Sequence, residues 1–433
     1  MSVPELFAPG FSADPYWWDY APRPDTDDAD PPSRCDVIVV GSGYTGLNAA
    51  LDLARGGRDV AVLDADSIGH GASTRSAGFV TSWVHQLGML RKKYGDDMAR
   101  SLARQVKESS QFTLDRIASE SIRCELDQRG QMMLAHNPKA YEDLARDVEI
   151  ESQIADVEYA LVPKAELHRE IATDLYCGAL VRPNESNLHP GLYVNGLIER
   201  VRDAGAQLLS RTPVRGIERE RDRLTVATSR GTISARNVVI ATNGYTDSAL
   251  AHFRRRVLPV PAYVMMTEPL GKEQVKRLLP TLRAIADTRL NFYCFRPTAD
   301  GERILFSADH GNPNDDPRAT VLRMRRLMLK VFPDLREARF THCWKGYIAF
   351  TRDLLPNVGE IDGVHYALGW GGAGIATGSY MGHKLARQIL GAADATTAFS
   401  GRDFKSLPRG MSWMVPIGRR IVNLVDRFSE RAT

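Results

Sequence analysis

Residues 36–54 read DVIVVGSGYTGLNAALDLA. Val37 to Val40 is a short β-branched run of the kind that fills a buried parallel strand. Gly41, Gly43 and Gly46 then follow the GxGxxG spacing, and Leu47 to Ala54 continues as an apolar helix. The spacing has a physical logic. Gly41 permits a tight turn, Gly43 lets a pyrophosphate approach the backbone, and Gly46 lets helix and strand pack closely, with the helix N-terminus facing the phosphates. A second strand, Val60-Ala61-Val62-Leu63, ends at Asp64, and 64 − 46 places that acid eighteen residues after the last glycine. An acid there binds ribose hydroxyls. Strand, loop, helix, strand and acid in this order predict a dinucleotide-binding unit. Its candidate contacts are Gly41, Gly43, Tyr44, Thr45, Gly46, Asp64 and Ala65.

The bulk properties narrow the class. With 433 residues, the chain is long enough for two or three domains and for a core that encloses a sizeable ligand. A net charge of +3 lacks the basic footprint of a nucleic-acid binder. No apolar run is long enough to span a membrane, and the N-terminus has no signal-peptide core. Cys35, Cys124, Cys177, Cys294 and Cys343 are odd in number and form no CxxC pair. That pattern predicts reduced thiols in a cytoplasmic protein, with neither a metal site nor a disulfide frame.

The ribose acid does not separate FAD from NAD, but residues 65–80, ADSIGHGASTRSAGFV, do. Here the sequence resembles the D-amino-acid oxidase-like flavoproteins, whose second strand is followed by a "GxGAS.R" loop. Gly69, Gly71, Ala72, Ser73 and Arg75 match it, and the loop continues through Ser76, Ala77 and Gly78. The resemblance implies that this backbone and arginine run along the FAD pyrophosphate and flavin. A surface loop with a solvated arginine is the plainer alternative. Residues 231–246, GTISARNVVIATNGYT, read as a strand pair ending in Ala241, Thr242, Asn243 and Gly244, and resemble the family's second FAD segment. Val214 falls where the family has its adenine-contacting valine, and NLHPG at 187–191 matches a family turn in which His189 is structural.

The last glycine-rich stretch, GWGGAGIATGSYMG at 369–382, resembles the family's "GxxGxGhxxxxxxG" turn and helix. Gly369, Gly372, Gly374, Ile375 and Gly382 fit it, Ala376 follows, and Ala373 stands where a histidine is common. The resemblance implies that amides at this helix start face the flavin and stabilise negative charge on the reduced ring. Within the family, PYWWDYAP, IGHGAS and WKGYIAFTRDLLPNVG are most similar to gamma-glutamylputrescine oxidase and related amine oxidases.

The implied fold is α/β: a Rossmann-like FAD-binding domain of glutathione-reductase type, with an inserted substrate domain of antiparallel sheet plus helices. The FAD-binding part comprises residues 1–85, 186–255 and 350–433, with 1–34 as an N-terminal arm pinned by Trp17 and Trp18. The substrate part comprises 86–185, read as helical, and 256–349, read as strands plus one helix. A hairpin turns at Asp300-Gly301, and the basic run from Arg318 to Val331 reads as a solvated helix face. The segment from Arg402 onward has helical spacing and would pack on its own domain, at a subunit interface or on a membrane surface.

FAD supplies the redox chemistry, so the chain must orient a substrate C–H bond and desolvate an amine in its unprotonated form. Trp83, Tyr293, Trp344 and Trp370 are candidates for the aromatic cage, each with an ordinary core role as its alternative. His85 could accept a proton or be a buried structural histidine, and Arg296 could anchor a carboxylate or form a surface ion pair. The expected partner is a small amine or amino acid, with O2 or another electron acceptor. Cys343 lies about three residues too early for the covalent attachment known in some relatives, so non-covalent FAD is expected. The strand Glu302-Arg303-Ile304-Leu305 lacks the lysine found in relatives that react fast with oxygen, which leaves O2 as acceptor in doubt.

Overall fold

Val37, Ile38 and Val39 have no solvent exposure, and the strand they begin lies inside a six-stranded sheet. This computed structural model describes residues 6–24, 30–81, 87–152, 159–309, 314–408, 410–411 and 425–426. The sheet runs Asn357–Ile361, Val364–Leu368, Asn237–Ile240, Val37–Val40, Val60–Leu63, Gln207–Leu209. All its pairings are parallel except that of the edge strand Asn357–Ile361. Strands buried on both faces suit β-branched side chains, which is why Val37–Val40 and Val238–Ile240 at the centre of the sheet are all valine and isoleucine.

Helices Tyr44–Arg55 and Gly374–Ile389 pack against each other beside this sheet. They come close because the second carries Gly378 and Gly382 on the contact. A methyl group at 382 would overlap the Thr45 carbonyl.

A second, nine-stranded mixed sheet forms the other half of the molecule. Its order is Phe7–Ser12, Phe340–Phe350, Leu258–Thr267, Ile304–Asp309, Cys294–Pro297, Ala284–Asp287, Gln131–Leu134, Gly178–Arg182, Ala160–Pro163. The hairpin expected at Asp300-Gly301 is present, with Cys294 opposite Ser307 and Pro297 opposite Ile304. Helix Pro317–Val331 covers one face with Val321, Met324 and Met328, while Arg326 and Lys330 point outward, as its basic run predicts. The Asp316 carboxylate caps this helix by accepting the Ala319 N–H at 2.8 Å.

Three expectations need correction. The 86–185 insertion holds the helices Asp96–Ser119 and Pro138–Ser152, but it also contributes three strands to the nine-stranded sheet. Their runs of four or five residues were too short to read as strands by alternation. Second, Gly231–Ala235 and Asn237–Ile240 do not pair with each other. The first closes a three-stranded antiparallel sheet, and the second enters the six-stranded one. Third, the arm assigned to the FAD-binding part sends Phe7–Ser12 alongside Phe340–Phe350 in the nine-stranded sheet. Phe7 and Phe11 hold it there, stacked under Arg318 at 4.5 and 4.8 Å.

Among the described residues, no helix is long and apolar enough to cross a membrane. The C-terminal segment with helical spacing falls largely outside the described residues.

Candidate functional site: a cavity between the two sheets

A cavity of about 380 Å³ starts at the C-terminal ends of the parallel strands and reaches the wall of the nine-stranded sheet. That edge is where open α/β sheets bind ligands, because strand ends and helix starts converge there. Gly41, Gly43, Tyr44, Thr45, Asp64 and Ala65 all line it. Gly46 does not. It packs helix on strand, since a methyl group there would overlap the Gly41 carbonyl. Gly41 adopts φ +102, which only glycine takes without strain. The helix that follows begins with Gly43 at its N-cap, which carries no capping side chain, and its Tyr44 N–H donates to the Ser73 hydroxyl at 3.0 Å. The Asp64 carboxylate accepts the Ser42 N–H at 3.0 Å, the Ser42 hydroxyl and the Asp66 N–H at 3.1 Å. Burial pushes its pKa up, and these three donors oppose the shift. Ser42, the variable residue of GSG, was missed because the glycine spacing says nothing about it.

The second loop lines the cavity with Gly71, Ala72, Ser73, Arg75, Ser76, Ala77 and Gly78. The Arg75 guanidinium is not a solvated surface group. It donates to the His70 carbonyl at 2.9 Å and the Lys345 carbonyl at 3.2 Å, and its head stacks 4.6 Å from Trp18. Among the described residues no carboxylate bonds it, so its charge is left for an anion.

Val214, Ala241 and Asn243 also line the cavity. Gly244 faces Tyr347 instead, where a methyl group would lie 3.0 Å from that residue's Cβ. Trp370, Gly372, Ala373, Gly374 and Ile375 form the far end, and Gly371 joins them unforeseen. Gly369 lies behind them, donating its N–H to the Asn243 side-chain oxygen at 2.9 Å, and Ala376 is buried in the apolar core.

The opposite wall comes from the nine-stranded sheet and the turn before Cys294: Ala262, Val264, Ala286, Phe292 and Cys294 are its apolar part, with Asp287 and Ser307 beside them. Burial pushes the Cys294 thiol up to about 12, so it is a neutral apolar surface. Of the six proposed catalytic side chains, only Trp370 reaches the cavity among the described residues. Tyr293, just ahead of strand Cys294–Pro297, does not: its ring goes into the core beside Phe306 and Arg289. Arg296 is no carboxylate anchor here and no surface ion pair. It is buried beneath Trp17, donates to the Leu188 carbonyl at 2.9 Å, and burial lowers its pKa to about 10. Trp344 has no exposure, and its indole N–H donates to the Arg75 carbonyl at 2.8 Å, behind the cofactor loop. Trp83 and His85 lie outside the described residues. His189 caps helix Pro190–Asp203 by accepting the Leu192 N–H at 3.1 Å, the structural role expected of it.

The family model of FAD dependent oxidoreductases, DAO, matches residues 36–388. The chain belongs to the DAO family of FAD-dependent oxidoreductases. Across 405 residues it is 31% identical to Haemophilus influenzae "Probable oxidoreductase OrdL", covering 91% of this chain and 93% of that one. It is 30% identical over 404 residues to gamma-glutamylputrescine oxidoreductase of Escherichia coli, with the same coverage of 91% and 93%. The glycine oxidase structure from Geobacillus kaustophilus superposes with a TM-score of 0.72 at 23% identity, over 87% of this chain and 99% of that one.

FAD is therefore the cofactor, and the residues present fit it. The cradle combines glycines where a side chain would intrude, a helix start whose N-cap is glycine, a carboxylate at the second strand end and a half-buried arginine that no carboxylate bonds among the described residues.

Proposed function

We propose that this DAO-family enzyme oxidises a C–N bond in an amine, with residues 36–81, 207–255 and 357–389 forming the FAD half and the nine-stranded sheet the substrate half. The observation that carries this reading is one continuous cavity. It joins the glycine cradle, Trp370 and the start of helix Gly374–Ile389 to a mostly apolar wall of Ala262, Val264, Ala286, Phe292 and Cys294, with Asp287 and Ser307 beside them.

FAD, when bound, would supply the hydride acceptor for the carbon beside the amine nitrogen, and water would hydrolyse the resulting imine to a carbonyl product and a free amine. The chain supplies the setting. The apolar part of the wall penalises an ammonium ion and favours the neutral amine, which has the lone pair needed for hydride loss, and the Asp287 carboxylate in the lining is already paired with Arg289. The uncapped start of helix Gly374–Ile389 brings partial positive charge to the cavity end where the reduced cofactor's negative charge would lie. We assign the Asp64 carboxylate to the ribose, Arg75 and the Gly43 and Thr45 amides to the anionic part of FAD, and Val214 to its adenine.

The wall favours an amine over an α-amino acid. Arg296 is committed to the Leu188 carbonyl, and Arg289 pairs with Asp287 at the turn leading to Phe292. Neither lines the cavity to grip a substrate carboxylate among the described residues. The name of the Escherichia coli relative, gamma-glutamylputrescine oxidoreductase, supports the same class. FAD binding is non-covalent in this reading: Cys343 points into the core under helix Pro317–Val331, away from the cavity.

The test is product analysis on the purified holoenzyme with a panel of amines, amino acids and hydroxy acids. Equal amounts of trapped carbonyl and released amine from an amine substrate are expected. Turnover of a hydroxy acid with none of any amine would refute the reading. Peroxide formed under air marks O2 as acceptor, whereas turnover only with an added quinone marks another.

A further inference from the structure

Three indole N–H groups meet three consecutive residues of the loop that follows the second strand. Trp18 donates to the Thr74 hydroxyl at 3.1 Å, Trp344 to the Arg75 carbonyl at 2.8 Å, and Trp17 to the Ser76 carbonyl at 2.9 Å. Two of the three belong to the N-terminal arm, ahead of the dinucleotide strand. The Trp18 ring also carries two guanidiniums, Arg75 at 4.6 Å and Arg23 at 5.9 Å from its centre. Arg23, itself on the arm, is packed against the loop's first glycine, where a methyl group at Gly69 would lie 2.7 Å from Nη1.

The loop needs such support. It contains Gly69, Gly71 and Gly78, with positive φ at the first and last, and pairs with no strand until Phe79. A glycine-rich segment without ladder bonds is costly to order. On its inner side it is tied to the first glycine turn, with the Gly69 N–H donating to the Ser42 hydroxyl at 2.8 Å and the Tyr44 N–H to the Ser73 hydroxyl at 3.0 Å. The indoles hold its outer side. Tryptophan suits this work, being a large rigid body with one N–H donor and no acceptor to compete for it.

We propose that the N-terminal arm is a cofactor clamp. Trp17 and Trp18 fix the Thr74–Ser76 backbone and the Arg75 guanidinium before FAD arrives, so the arm sets FAD affinity although neither indole lines the cavity. Ordering the loop in advance removes a cost that binding would otherwise carry. Both residues are positioning residues, acting through the loop.

The test uses the full chain with Trp17→Phe and Trp18→Phe combined, which keeps an aromatic ring at each position and removes both donors. FAD is stripped and titrated back, following flavin fluorescence, with the melting temperature of the apoprotein measured alongside. At about 1 kcal/mol per lost bond, the FAD dissociation constant should rise roughly ten- to thirtyfold. The bound flavin's absorption band should shift toward that of free FAD, and the apoprotein should melt within about 2 °C of wild type. An unchanged dissociation constant would overturn the clamp. So would weaker binding accompanied by an equally large loss of apoprotein stability, since that marks an ordinary structural contact. Deleting residues 1–24 should weaken FAD binding further, and equal affinity in a folded deletion variant would also overturn it.

Discussion

The side-chain oxygen of Asn243 accepts the backbone N–H of Gly369 at 2.9 Å, joining two cofactor segments 126 positions apart. Asn243 makes this bond from φ +43, a left-handed conformation that asparagine tolerates and alanine does not. Asn243→Ala therefore loses an acceptor and gains backbone strain, together about 2–3 kcal/mol. A melting temperature lowered by several degrees and a reduced flavin content in the purified variant are expected. Asn243→Gly, which relieves the strain but not the lost bond, should recover roughly half of the stability.

Gly46 and Gly43 separate two kinds of glycine in one motif. A methyl group at 46 would overlap the Gly41 carbonyl, which is backbone and cannot swing away. At 43 it would meet the Ser73 hydroxyl at 2.7 Å, the end of a rotatable side chain. Gly46→Ala should abolish flavin incorporation and lower the melting temperature, whereas Gly43→Ala should fold and bind FAD about tenfold more weakly. Thermal melts and the flavin-to-protein ratio decide between them.

Phe292 and Tyr293 are neighbours on opposite faces. Phe292 lines the cavity, and Tyr293 packs with Phe306 in the core. Phe292→Ala should raise KM for the amine by about tenfold with little change in melting temperature, by loss of apolar substrate contact. Tyr293→Ala should cost about 3 kcal/mol of stability through the core void it leaves. Steady-state kinetics beside denaturant unfolding would show whether the two roles are exchanged.

His189 gives the fold an acid-side weakness. Burial, with Arg296 nearby, lowers its pKa to about 4, and its Nδ1 must stay unprotonated to accept the Leu192 N–H. The unfolded chain, with a histidine near the ordinary 6.5, binds the proton first as pH falls. The stability this group contributes is complete above pH ~6.5 and is lost as pH falls toward ~4, by on the order of 3 kcal/mol. His189→Asn, which retains a capping oxygen, should flatten that part of a stability–pH curve measured by urea unfolding.

The FAD cradle was legible in the sequence because its logic is local. Glycine spacing, a strand end and a following acid all fall within thirty residues, and nearly every one of those positions lines the cavity. What escaped was set by distant partners or by the direction of a side chain. Tyr293 and Arg296 were chosen for their chemistry, but their directions depend on strand register and on Leu188, neither of which composition reveals. Trp344 was read as a cage residue, and only the return of the chain beneath Arg75 makes it a support. Likewise, no local pattern announces that Asp52 meets His383 at 2.6 Å, 331 positions later, between two packed helices. Trp17 and Trp18 were seen as pins for the arm. That they hold the cofactor loop itself became visible only in the fold.

In the function proposed above, the cavity beside Trp370 presents an amine carbon, not an α-amino acid, to FAD. The most direct measurement is anaerobic bleaching of the visible flavin band by an amine and by its α-carboxylated counterpart, each titrated against the same holoenzyme. The account predicts saturable bleaching by the amine, with the carboxylated compound slower and weaker. Bleaching by the carboxylated compound alone, or by a hydroxy acid while no amine acts, would contradict it.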